Sequence, residues 1–501
     1  MSSDLDNAFD DEPLEDFSSR SQSPVFILLV VIGIAAVGIG TCVFSPISYL
    51  RGDTDIFGNH RVIQEIAAER EQQTGLELVH AQLFPQWLIA AGRAGDAAGD
   101  AHAEEAYEAL RDEIDDEALR EILADLRPVI YHEAPGDEEV AEFNTLMHTW
   151  NQAVRDAGDS YFFTGSLVLR SDGESFWVGE FYRELEGVEI MVDLHPVGIR
   201  VAERADYTNL VESYLGAAYE GADDALVVVD RILDFVVHRL WPLFEEGDDV
   251  PPTEDRVVAA FEDAVRGEAR EGLGDDHFSA LAESARWRRQ LQDAVDSIHA
   301  RHDCGHTLRI TDIPWNGFDS QALEQFADIA RADRIQVCER ITYEESDAIN
   351  EASRALRGEK RFQHALEALV SWIAREIAIH EARHLADDAL YDGLNEALPC
   401  QACGRLSVDA RAELSAYTAT LAWGSAPATS LLQACKGARG SRPHRQALAH
   451  LVRHLGSLCD EPPPDDLGRK ARQLEEEFFE RSEAVRLPSS YPERIPIRQF
   501  R

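Results

Sequence analysis

The rhythm of apolar and polar positions changes several times along the 501 residues. Val25 to Phe44 is apolar and uncharged, long enough for one helix to cross a bilayer. Residues 56–157 then carry Ala, Glu and Leu at helical spacing, most clearly over Ala103–Leu126, with the Gly/Ala-rich run Ala90–Ala101 expected as a loop. From Ser160 to Glu203 the period falls to two, in S-L-V-L-R, S-F-W-V-G-E-F and V-E-I-M-V-D-L. Turn residues at Ser171-Asp-Gly173 and Glu186-Gly187 predict a small antiparallel sheet of hairpins. Helical spacing returns over Tyr207–His302, broken at Gly247–Pro252, and a second β signal covers Thr307–Ile313 and Arg334–Tyr343. A long helix is expected from near Lys360 past Asp388, with the apolar stripe Phe362, Leu366, Leu369, Ile373 and Ile377. A second amphipathic helix is expected over Val408–Trp423. The run Glu461-Pro-Pro-Pro464-Asp-Asp is a stiff break, followed by a charged helix over Arg469–Arg486 and a Pro-containing tail suited to packing or partner contact. The class predicted is mainly α with small antiparallel β-sheet, that is α+β, behind a single N-terminal transmembrane helix.

These changes divide the chain into seven stretches. Residues 1–23 form an acidic tail expected to be disordered, and 24–45 an uncleaved membrane anchor. Helices follow in 46–157, the sheet in 158–204 and helices again in 205–302. Residues 303–460 hold the long helix and its neighbours, and 461–501 the break, charged helix and tail. Lys and Arg number 47 against 93 Asp and Glu, a formal charge of −46 that repels nucleic acid and anionic lipid heads. Charge does not orient the anchor, because Arg20 on one side faces Arg51 and Arg61 on the other. Cysteine usage does. Beyond the anchor lie Cys304, Cys338, Cys400, Cys403, Cys435 and Cys459, an even number that suits disulfides in an exported, periplasmic or extracytoplasmic region. The simplest pairing joins neighbours, 304–338, 400–403 and 435–459. The alternatives are a structural zinc on Cys400, Cys403, Cys435 and Cys459, or a redox pair at Cys400-x-x-Cys403.

The chemistry is concentrated in Ile377–Asp388, I-A-I-H-E-A-R-H-L-A-D-D. His380 and His384 are four apart, so on a helix both imidazoles project from one face. With Glu381 beside them they make H-E-x-x-H, two zinc ligands and a carboxylate placed to take a proton from water. Both histidines continue the apolar stripe, which also fits core histidines satisfied by hydrogen bonds. Two other histidine groups are bland. His299, His302, Cys304 and His306 match no standard metal spacing and are expected as an exposed helix end. His450 and His454 have Leu451 where a zinc helix has Glu, and are expected on the surface.

A catalytic zinc needs a third protein ligand and an open fourth position. The metzincin spacing is excluded, since the sixth residue after His384 is Leu390. H-E-A-R-H followed by a helix with E-L-S-A-Y resembles the gluzincin metallopeptidases, over Lys360 to about Trp423. The resemblance implies a zincin-like catalytic domain in 303–460, with His380, His384 and Glu413 as zinc ligands and Glu381 as general base. Arg383 departs from that pattern, as does the long gap from His384 to Glu413, which holds the Cys400–Cys403 loop. Asp387 and Asp388, one turn beyond His384, are the alternatives for the third ligand or for a partner orienting His384. Tyr417, one turn beyond Glu413, is the candidate donor to an oxyanion.

The function expected is a membrane-anchored zinc metallopeptidase cleaving a peptide or protein substrate. The alternative is a non-enzymatic envelope scaffold in which the H-E-x-x-H helix is inert or structural.

Overall fold

The computed structural model describes residues 75–498, apart from 93–96, 133–134, 170–174, 207–214, 219–223, 248–249, 251–252, 254, 302–309, 311–341, 392–397, 438–441 and 457–458. The acidic tail and the apolar run Val25–Phe44 therefore lie outside the described residues, as do Cys304, Cys338, His302, His306 and nearly all of the second β signal. Among the described residues no helix is long and apolar enough to cross a membrane. The architecture is α+β, mainly helical with one curled mixed sheet.

The first unit of packing is aromatic. Helical turns at Gly75–Leu78 and Val79–Leu83 lead into α1 (Phe84–Ala91), followed by α2 (Ala97–Glu113), α3 (Glu117–Ile130) and α4 (Asp137–Asp156). Two expectations shift here. Ala97–Ala101 is helical, not loop, and Ala103–Leu126 is two helices, because Asp116 leaves the helical conformation and caps α3 by accepting a bond from the Leu119 amide at 3.1 Å. Phe84, Trp87, Phe143, Trp150, Phe163, Trp177 and Phe181 close on one another in a buried cluster that joins these helices to one face of the sheet.

The sheet runs β1 (Tyr161–Leu169), β2 (Ser175–Val192), β3 (His195–Arg204), β4 (Gly216–Ala217) and β5 (Asp224–Val228), in spatial order β1-β2-β3-β5-β4. Pairing is antiparallel except for β3 with β5, which is parallel. The sheet is thus mixed and reaches past Tyr207 into a stretch expected to be helical. D-A-L-V-V is a short apolar run whose strand is buried on both faces, and such runs carry no period-2 signature. The predicted turn at Glu186-Gly187 is also displaced. β2 continues through it with a bulge between Glu184 and Glu186, and the chain reverses instead at Asp193 and Leu194, both at positive φ.

A second core runs from Ile190 on β2 to Ile497 in the C-terminal segment. It contains α5 (Val229–Phe235), the 3₁₀ turn Trp241–Phe244, α6 (Arg256–Arg301), α7 (Tyr343–Arg357), α8 (Lys360–Leu390), α9 (Val408–Trp423), α10 (Pro427–Gly437), α11 (Arg442–Leu455) and α12 (Leu467–Phe479). Gly274 leaves the helical conformation at φ +77, so α6 is two helices meeting at a kink. Tyr343, expected at the end of a strand, begins α7, because Thr342 and Glu345 form a capping box. α12 stops at Phe479, short of Arg486, because Glu480 adopts the left-handed conformation.

α8 is the central helix. It is buried from Phe362 to Asp387 on most of its circumference, with the sheet on one side and α6 and α9 on others. Two carboxylates cap α10 from across the core. Glu268 on α6 accepts from the Ala428 and Thr429 amides at 2.6 and 2.9 Å, and Glu376 on α8 accepts from the Ser425 amide at 2.8 Å. Cys400 pairs with Cys403 and Cys435 with Cys459, so these four sulfurs form disulfides and not a zinc site.

Candidate metal centre

Burial fixes the helix, and the helix fixes the histidines. On α8 the Nε2 atoms of His380 and His384 come within 3.2 Å of each other, with ring planes tilted at 74°. Glu413 arrives from α9, which begins where Ser407 caps its first turn, accepting from the Ala410 amide at 3.2 Å. Glu413 Oε2 lies 3.6 Å from His380 Nε2, and Oε1 lies 3.8 Å from His384 Nε2. One ligand atom from each of the three falls within 4.8 Å of the others, and together they could hold a metal ion. A tetrahedral zinc bound at about 2.0–2.1 Å separates its ligands by about 3.3 Å, close to the 3.2 Å between the two imidazole nitrogens.

The ionisation states of His384 and Glu413 suit a metal, which needs deprotonated ligands. Burial drives His384 down to about 4, keeping it neutral. Burial opposes ionisation of Glu413 too, but the imidazoles around it prevail and hold its carboxyl well below the usual range. Glu413 Oε2 is buried, with His444 Nδ1 at 2.9 Å and His380 Nε2 at 3.6 Å. A buried, ionised carboxylate needs such nitrogen partners, and a cation held by the group would be a further one. For His380 burial lowers the pKa, and the adjoining Glu413 carboxylate more than offsets it, leaving a net rise.

Three further side chains border the group. Glu381 is buried, and that burial pushes its carboxyl up to about 7, with His380 pulling the other way. Gly216 of β4 presses against it, so that a Cβ there would sit 2.7 Å from Glu381 Cγ. The Tyr417 ring lies 5.0 Å from the His380 ring, and its hydroxyl is 3.0 Å from His444 Nδ1. Burial, then the Glu413 charge, raises the Tyr417 phenol far above its ordinary value, so it remains a neutral hydroxyl donor. His444, at the start of α11, completes the border with Nδ1 2.9 Å from Glu413 Oε2 and its ring partly exposed.

Asp387 goes elsewhere. Its oxygens are taken by Ser415, whose hydroxyl donates at 2.6 Å, and by Arg481. Asp388 is not one of the three converging residues either. Arg383, which departs from the gluzincin pattern, is fully buried and turns to Asp193 at the β2–β3 reversal, with Glu475 of α12 3.6 Å away. Cys400–Cys403 lies in the connection before α9, and Cys435–Cys459 brackets α11, which carries His444. Of the bland histidines, His454 is exposed, whereas His450 is half-buried against the Phe478 ring at 5.4 Å.

Sequence reasoning missed His444, Gly216, Asp193 and Arg481. His444 carries no spacing signal, because α11 reaches the group only through tertiary packing. Fold and site together define an α+β protein with a half-buried His–His–Glu group able to hold a metal ion. No protein-family model, curated protein or solved structure matches the chain.

Proposed function

We propose that the protein is a zinc metallopeptidase, anchored by Val25–Phe44 with its catalytic region on the exported side of the membrane. The observation that carries the reading is the arrival of Glu413 from a separate helix within 3.6 and 3.8 Å of the two histidines of H-E-x-x-H. A core histidine pair needs hydrogen-bond partners but not an ionised carboxylate beside both rings. Two imidazoles and one carboxylate are a donor set zinc favours, and three protein ligands leave one position for water or substrate.

When bound, zinc supplies a Lewis acid that polarises a carbonyl and acidifies water. The rest falls to the chain. Glu381 accepts the proton of the attacking water, and burial that holds it near 7 matches a base to neutral pH. Tyr417 and His444 hold hydrogen-bonding groups at the rim, where an oxyanion needs a donor. The edge strand β4 limits the space beside Glu381 and helps to exclude water. The two disulfides support placement in an oxidising compartment.

The test is metal content followed by one substitution. The purified full chain should carry about one zinc per molecule and cleave unstructured protein such as casein or members of a broad peptide library. Glu381→Gln should keep the zinc and the fold while the rate falls by at least ~10²-fold. A folded chain without zinc sinks the reading. Equal inactivity of wild type and Glu381→Gln, both loaded with zinc, would leave the scaffold as the better account.

A further inference from the structure

Beside the His–His–Glu group, the same two helices are joined by a second, entirely protein-made link. Asp387 on α8 lies three residues after His384, and Ser415 on α9 lies two residues after Glu413. Both are fully buried. The Ser415 hydroxyl donates to Asp387 Oδ2 at 2.6 Å and accepts from Arg481 Nη1 at 2.6 Å, while Arg481 Nη2 donates to Asp387 Oδ1. Arg481 Nε also lies 3.7 Å from Asp193 Oδ2, and Asp193 is bonded to Arg383, the residue preceding His384. One guanidinium therefore binds α8, α9 and the β2–β3 turn together.

Arg481 is itself held at both ends. The left-handed Glu480 ends α12 and aims the chain back across the core. The segment after it runs along α8. Arg486 makes an antiparallel bridge with Met191, the Pro492 carbonyl accepts from Ser371 Oγ at 2.5 Å and Arg375 at 3.2 Å, and the Ile495 amide donates to the Glu367 carbonyl at 3.3 Å. The C-terminal segment is thus a strap laid along the helix that carries both histidines.

We propose that Arg481 is a positioning residue. By pinning Asp387 to Ser415 it sets the separation of α8 and α9, and so the distance at which Glu413 meets His380 and His384. The physical case rests on rigidity. A planar, always-charged fork with partners on two helices fixes their spacing in a way apolar contacts, which tolerate sliding, do not. Groups that hold ligands in place, without touching the metal, typically change metal affinity by about 10–100-fold when removed.

This inference rests on the metal reading above, and the test separates the two. Zinc affinity is measured for the full chain by competition with a chromophoric chelator, together with the visible spectrum of the Co²⁺-loaded protein. Arg481→Met and the milder Ser415→Ala should each weaken zinc by about 10–100-fold and alter the Co²⁺ band. Leu474→Ala, which cuts buried packing on α12 and removes none of the hydrogen bonds of Asp387 or Ser415, should destabilise the protein and leave both readouts unchanged. If Arg481→Met fails to fold, Ser415→Ala alone decides. Wild-type affinity and spectrum in Ser415→Ala, or equal losses in Leu474→Ala, overturn the positioning role while the metal reading stands. A folded wild type that takes up neither zinc nor cobalt overturns both.

Discussion

Gly216→Ala places one methyl group where the sheet meets the metal helix. In the structure that Cβ would sit 2.6 Å from Ile377 Cγ2, 2.7 Å from Glu381 Cγ and 2.9 Å from the Leu226 carbonyl oxygen. Each gap is about 1 Å short of ordinary contact between heavy atoms. Two of the three obstacles are stiff. Ile377 is β-branched on a helix, which leaves it essentially one rotamer, and the Leu226 oxygen is backbone of the strand paired with β4. The strain must therefore be relieved by moving Glu381 or by lifting β4 from α8. Overpacking of this kind costs about 1–3 kcal/mol, and a base displaced by about 1 Å can lose ~10²-fold in rate. On the proposed function, the expected outcome is a lower urea midpoint and a peptidase rate reduced at least tenfold, with zinc content near wild type because none of the proposed ligands is touched. Gly267→Ala is the matched control. It lies within α6 with no described residue within 4 Å of its added Cβ, and it should stabilise by about 0.5–1 kcal/mol. If Gly216→Ala melts and turns over like wild type, β4 is not against α8 and the arrangement derived for Glu381 is wrong.

Glu413→Ala should lose zinc affinity along with activity, unlike Glu381→Gln, because it removes a proposed ligand; chelator competition separates the two variants. Glu475 is buried with neither carboxylate oxygen hydrogen-bonded among the described residues, and burial raises its carboxyl from 4.5 to about 7. A carboxyl raised in the folded state leaves stability intact below pH 4.5 and costs progressively more as pH rises towards 7. Glu475→Gln should therefore be more stable than wild type at pH 8, by on the order of 3 kcal/mol, with the difference vanishing below about pH 4.5 in urea titrations. Thiol labelling under denaturing, non-reducing conditions should leave Cys400, Cys403, Cys435 and Cys459 unmodified, and labelling of all four would contradict the paired sulfurs.

Several features were legible because they are local. A stripe at helical spacing identified α8, and the four-residue interval put His380 and His384 on one face, since both follow from the 3.6-residue turn. Alternation located β1 to β3 for the same reason. Where local signals compete, the reading slipped. Glu186-Gly187 has turn chemistry but is absorbed as a bulged strand, because the ladder with β3 continues through it and the chain reverses at Asp193-Leu194. β5 was missed because a strand buried on both faces shows no alternation.

The amino-acid order by itself determined the α+β class, the central helix and the pair of imidazoles on it. Glu413 stood in the sequence as a matter of resemblance, with Asp387 and Asp388 as rivals, because periodicity ranks residues within one helix and says nothing of how two helices pack. Only the tertiary structure separates them by position. It brings Glu413 to the histidines, commits Asp387 to Ser415 and Arg481, and explains the unusual Arg383 through Asp193, 190 residues away in the chain. Such contacts have no fixed spacing to recognise. They exist because burying a charge demands a partner, and which partner is near enough is a property of the packed molecule, not of any stretch of its sequence.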